Sequence, residues 1–167
     1  MNLLPKESLT FTTKLKEDEV ISRLSLAVEP EKFIRSGLFG SRNTKPYEGK
    51  ITGNTFSIKR IITYRNSFLP RIIGQVERDI QGTSIKVKMR LQIFVLAFLF
   101  VWCSGALIGL YFIAKNVYVN KGFDPWFFMP IGMLLFVYIL TIAAFKYESG
   151  KAKNDLKNLF EAEMIEV

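Results

Sequence analysis

Histidine is missing from the chain, and cysteine occurs once, as Cys103. Without histidine there is no imidazole to act as acid, base or metal ligand, and no Ser-His or Cys-His nucleophile pair can form. A lone cysteine excludes an intrachain disulfide. Acidic residues are few: 15 Asp and Glu stand against 23 Lys and Arg, a formal net charge of +8 over 167 residues. In two long runs charge of either sign is absent. Residues 91–114, LQIFVLAFLFVWCSGALIGLYFIA, and residues 125–145, PWFFMPIGMLLFVYILTIAAF, contain no Asp, Glu, Lys or Arg.

A membrane-crossing helix needs ~20 apolar residues, and both runs reach that length. The first holds thirteen Leu, Ile, Phe or Val residues between Ile93 and Ala114. At ~0.3–0.6 kcal/mol each, these favour insertion by roughly 4–8 kcal/mol. The two runs are therefore read as transmembrane helices 91–114 and 125–145, joined into a hairpin by the loop 115–124. Asp124 suits an N-cap and Pro125 a first helical position, while Pro130 bends or delays the second helix.

Charge orients the hairpin. Residues 1–90 carry a net +8, the loop a net +1 and residues 146–167 a net −1. Lys86, Lys88, Arg90, Lys146, Lys151 and Lys153 flank the spans on one side and outnumber Lys115 and Lys121 on the other. The positive-inside rule then puts both termini in the cytoplasm and the loop in the periplasm. Tyr111, Phe112, Tyr118, Phe123, Trp126, Phe127 and Phe128 form an aromatic belt at the outer interface. The opening MNLLPKESLTF has no apolar core that would make it a signal peptide.

The polar remainder reads as α+β. Leu9, Phe11, Thr13 and Leu15 alternate with polar residues as in a strand. Val20, Ile21, Leu24, Ala27 and Val28 recur at helical spacing, with Glu17, Asp18 and Glu19 at the end where a helix favours anions and Pro30 as its stop. Four short strands follow in YEGKIT, NTFSIKRII, RIIGQVERDI and TSIKVKMRL, with turn signals at Gly53-Asn54 and Gln81-Gly82. Residues 146–167 space Tyr147, Ala152, Leu156, Leu159, Phe160 and Met164 as an amphipathic helix, hinged or broken at Ser149-Gly150. The expected fold is an integral membrane α+β protein: a cytoplasmic strand–helix–four-strand domain over 1–90, a two-helix transmembrane hairpin, and a C-terminal helix packing on a small antiparallel sheet.

The order strand, helix, curved antiparallel sheet, long C-terminal helix resembles that of START-like helix-grip domains, which implies a lipid-binding pocket between sheet and helix. The run from YEGKITGNTFSIKR through YRNSFLPRIIGQV to IKVKMRL resembles a group of small bacterial two-span membrane proteins without assigned activity. That resemblance implies a bacterial inner membrane and carries no chemistry.

The candidate site residues are mostly basic. Arg60, Arg65, Arg71 and Arg78 lie on or beside the central strands, with Arg42 and Lys45 in the preceding loop and Lys86, Lys88 and Arg90 on the last strand. Guanidinium forks suit phosphate or carboxylate, which beside a membrane means an anionic headgroup. The plainer alternative is a solvated positive face. SGLFGSR (36–42) offers a weak anion nest without the phosphate-loop pattern, and Glu77 and Asp79 share a strand face as ordinary ion-pair partners. In YRNSFLP, Arg65 and Arg71 flank Phe68-Leu69. The loop either presents that pair to a partner or lipid, or plugs the sheet edge with Tyr64, Phe68 and Leu69.

Gly105 and Gly109 form a Gly-x-x-x-Gly that lets a second helix approach closely, within the hairpin or from another chain. Neither span carries a charge that would serve as an ion path. These readings imply a non-catalytic accessory or scaffold subunit of an inner-membrane complex. The alternative is an anionic-lipid-binding module with a helix-grip-like pocket. The expected partners are membrane lipids and other membrane-protein subunits or further copies of the chain. No cofactor, metal or nucleic acid is expected.

Overall fold

The computed structural model describes residues 4–31, 45–64, 66–80, 82–120, 122 and 125–166. Strand β1 (Lys6–Thr13) leads into helix α1 (Glu17–Ala27) and the short strand β2 (Val28–Pro30). Strands β3 (Tyr47–Thr52), β4 (Thr55–Arg60), β5 (Arg71–Asp79) and β6 (Gly82–Arg90) then form an antiparallel meander. Helix α2 (Ile93–Asn120), a 3₁₀ turn (Pro125–Phe127), helix α3 (Phe128–Phe160) and strand β7 (Glu163–Glu166) complete the chain.

The seven strands make one sheet in the order β2-β3-β4-β5-β6-β1-β7. It is mixed rather than wholly antiparallel, because β2 pairs parallel with β3 at one edge. Two strands escaped the sequence reading, β2 and β7. At three and four residues they are too short to show an alternation, and β7 exists through its antiparallel register with β1, Phe11 opposite Met164. Between β3 and β4, Gly53 at φ 54 supplies the left-handed conformation that a two-residue hairpin requires at its first central position. Gly74 has a different purpose. It faces Phe56 across the β4–β5 pair, and a Cβ there would lie 2.1 Å from the Phe56 ring.

One face of the sheet is dry. Phe11, Phe56, Ile58, Ile72, Val76, Ile85, Val87 and Met89 point into it, each at 2% exposure or less. It is covered by α1, through Val20, Leu24 and Ala27, and by the C-terminal half of α3. The covering side chains of α3 are Phe145, Ala152, Leu156 and Phe160, with Phe160 edge-on to Phe11 at 6.3 Å. Burying each such side chain stabilises by roughly 1.5–3 kcal/mol. These residues form the packed layer between the sheet and α3.

The expected break at Ser149-Gly150 is not there. Helix α3 runs unbroken for 33 residues, or about 50 Å at 1.5 Å per residue. Its buried stripe, Thr141, Phe145, Glu148, Ser149, Ala152, Leu156 and Phe160, keeps i, i+3/i+4 spacing throughout. The Ser149 hydroxyl turns back onto the Lys146 carbonyl at 3.2 Å, so neither residue interrupts the backbone ladder. The helix ends at Glu161, whose left-handed φ of 47 reverses the chain into β7.

Both α2 and the N-terminal half of α3 are long and apolar enough to cross a membrane. None of the most apolar window of α2, and 11% of that of α3, is buried inside the molecule. The core helix of a water-soluble domain shows the opposite. Tyr111, Phe112, Tyr118, Trp126 and Phe128 lie exposed at the end of the hairpin far from the sheet. Phe123 of the expected belt lies outside the described residues.

Candidate functional site

The connection between β4 and β5 reaches down onto α3. Pro70 has no N–H to lend to a ladder, and Asn66 closes a local turn by accepting the Phe68 N–H on its side-chain oxygen at 2.9 Å. The folded loop then presents polar groups to Glu148, which is 0% exposed. Arg60 donates from Nη1 to Oε2 at 3.1 Å, Asn66 from Nδ2 to Oε1 at 3.2 Å, and the Tyr64 hydroxyl to Oε1. Arg60 is itself held by Asp155, two helical turns further along α3, Nε to Oδ2 at 2.9 Å.

This arrangement holds its protons firmly. The hydrogen bond to Glu148 is the main reason the Tyr64 hydroxyl is pushed above its ordinary pKa, with burial adding to it. Tyr47, opposite Arg60 in the β3–β4 register, is pushed up chiefly by burial and secondarily by Asp155. Lys151 lies 4.2 Å from the Tyr147 ring centroid and 5.6 Å from that of Tyr64, and its pKa is raised first by its contact with Tyr147. Both oxygens of Glu148 are occupied by donors and an arginine balances its charge, so the cluster is built as a clamp. It fixes α3 to the sheet where the apolar half of that helix ends.

The opposite face of the sheet is open and basic. Register places Lys6, Arg90 and Arg71 side by side across β1, β6 and β5. Like charges directly opposite one another on a sheet repel. Nearer the far end, Lys86 is held by Glu77 at 2.6 Å; Lys59, at the same end as Arg71, is held by Glu48 at 3.1 Å. At the foot of this face lies a groove of about 860 Å³, lined by Lys59, Arg71, Arg90 and Gln92 above and by Phe94 and Leu96 of α2 below.

The basic residues named from sequence thus separate. Arg60 belongs to the clamp on the covered face. Arg71, Lys86, Lys88 and Arg90 belong to the open face, with Lys88 and Arg90 exposed. Phe68 packs partly buried against the core and Leu69 is 6% exposed, so they do not form an exposed pair. The loop's polar residues grip α3 instead. Arg78 pairs with Glu17 at 3.1 Å. Gly105 and Gly109 have no neighbouring heavy atom within 4 Å of a Cβ built on them, so neither packs against α3. Arg42, Arg65 and the SGLFGSR stretch lie outside the described residues. Among the described residues no three His, Cys, Asp or Glu side chains gather as metal ligands.

Glu148, Tyr64 and Asn66 were not paired by sequence reasoning. A signal existed: Glu148 falls on the apolar stripe of Phe145, Ala152 and Leu156, where a carboxylate requires partners. Comparison with protein-family models, curated proteins and solved structures gives no match to this chain.

Proposed function

We propose that this protein is a non-catalytic accessory or scaffold subunit of a bacterial inner-membrane complex, with two spans and both termini in the cytoplasm. The observation that carries the reading is the Gly105–Gly109 face of α2, which stays free of α3. Small residues at this spacing allow close helix contact, the form of association that works where lipid removes the hydrophobic drive. Its partner is then a helix of another subunit or of a second copy. The clamp supports the same role, since a sheet bolted to a span transmits position.

Extraction in mild detergent followed by native mass measurement tests this. The expected particle exceeds one 19.2 kDa chain, and Gly105→Leu with Gly109→Leu releases its companions. A lone chain that carries no companion protein contradicts the reading.

A further inference from the structure

We propose that the groove at the foot of the open sheet face binds the phosphate of an anionic glycerophospholipid, with its acyl chains laid along the start of α2. The inference rests on the membrane reading above.

Three features converge there. The first is the row of like charges formed by Lys6, Arg90 and Arg71. Arg71 is already oriented, because its Nε donates to Ser57 Oγ at 2.8 Å, while its Nη2 is met only at 3.7 Å, by Glu31. The second is the N-terminus of α2. Gln92 accepts from the Val95 and Leu96 amides at 3.1 and 3.2 Å, so the helix ladder begins there and its positive end opens beside Arg90. First-turn amides have no intrahelical acceptor, and the first turn carries no acidic residue. The third is the change of polarity within one groove. Ile93 and Phe94, 70% and 82% exposed, follow Arg90 by three and four residues. Phosphate and hydrocarbon are thus offered binding surface a few ångströms apart, in the order a lipid presents them.

One carboxylate already borders the groove. Glu31 stands 3.7 Å from Arg71 and 3.8 Å from Lys59, close enough to attract and too far for good hydrogen bonds. A phosphate with more acceptor oxygens displaces it. Free phosphate shares the chemistry of the headgroup but makes no use of Phe94 and Leu96.

The test is native mass spectrometry of the full chain released from nanodiscs of mixed phosphatidylcholine and phosphatidylglycerol. Selective retention of phosphatidylglycerol is expected, weakened about tenfold by Arg71→Ala or Arg90→Ala, the scale of one charge-assisted hydrogen bond. Lys50→Ala, elsewhere on the same face, should leave retention unchanged, and Glu31→Gln should strengthen it. Equal retention of the two lipids, or retention indifferent to both arginines, overturns the lipid site alone. Displacement by inorganic phosphate at lipid-free affinity, unaffected by Phe94→Ala, also overturns it by making the ligand a free anion. A chain that fails to enter nanodiscs overturns the membrane reading with it. Unchanged thermal unfolding of the variants shows that the losses are local.

Discussion

Glu148 shows how much one side chain can hold when it sits at a junction. Removing it as Glu148→Ala leaves Arg60 with Asp155 alone and takes the acceptor from Tyr64 and Asn66, which should cost roughly 3 kcal/mol, the low end for a broken buried ion pair. Arg60→Ala should cost more, because Glu148 then loses its charge partner outright. Denaturant unfolding of the detergent-solubilised protein measures both, and a loss below about 1 kcal/mol for either would show that the clamp is ornamental. The tyrosines set the pH response. Tyr64 and Tyr47 hold their protons more tightly folded than unfolded. Their contribution is therefore complete below the ordinary tyrosine pKa of ~10 and is lost as pH rises through the higher folded values. The melting temperature should fall above about pH 10, with tyrosinate absorbance rising alongside, and the fall should be smaller in Tyr64→Phe. An equal fall in Tyr64→Phe would deny that hydroxyl its part.

At the scale of the element, α3 is the decisive feature. It carries the apolar run and the sheet cover on one continuous axis. Gly150 sits in mid-helix with no heavy atom within 4 Å of a built Cβ. Gly150→Ala should accordingly stabilise by about 0.5–1 kcal/mol, and Gly150→Pro should cost about 3 kcal/mol and uncouple the two halves. Thermal unfolding and proteolysis near residue 150 read both, and an indifferent Gly150→Pro would mean that the halves were never coupled. This is also where sequence reading stopped short. The alternation of Ile85, Val87, Met89 and Leu91 made β6 plain, and the uncharged runs made both apolar helices plain. Ser149-Gly150 resembled a hinge because local propensity cannot register a buried stripe that continues from Thr141 to Phe160. The site followed the same pattern. Basic residues were visible as a group, but only sheet register assigns Arg60 to one face and Arg71 with Arg90 to the other. Glu148 stands on the apolar spacing of Phe145, Ala152 and Leu156, but its partners Arg60, Tyr64 and Asn66 lie more than 80 residues away and only the fold brings them to it.

The whole molecule joins two surfaces of different character. A dry sheet face is locked to α3, and a basic face opens beside the start of α2. On the proposed membrane reading, this disposition works only if the sheet lies on the positive side of the membrane and both ends of the hairpin meet it there. The chain lends itself to the test, since Cys103 is its single cysteine. In a Cys103→Ser background, one new cysteine at Gly122 and another at Lys157, in separate variants, are exposed to a membrane-impermeant maleimide on intact cells. The account requires Gly122→Cys to label from outside and Lys157→Cys to label only after permeabilisation. Labelling of Lys157→Cys in intact cells would place the sheet on the wrong side and contradict the account at its centre.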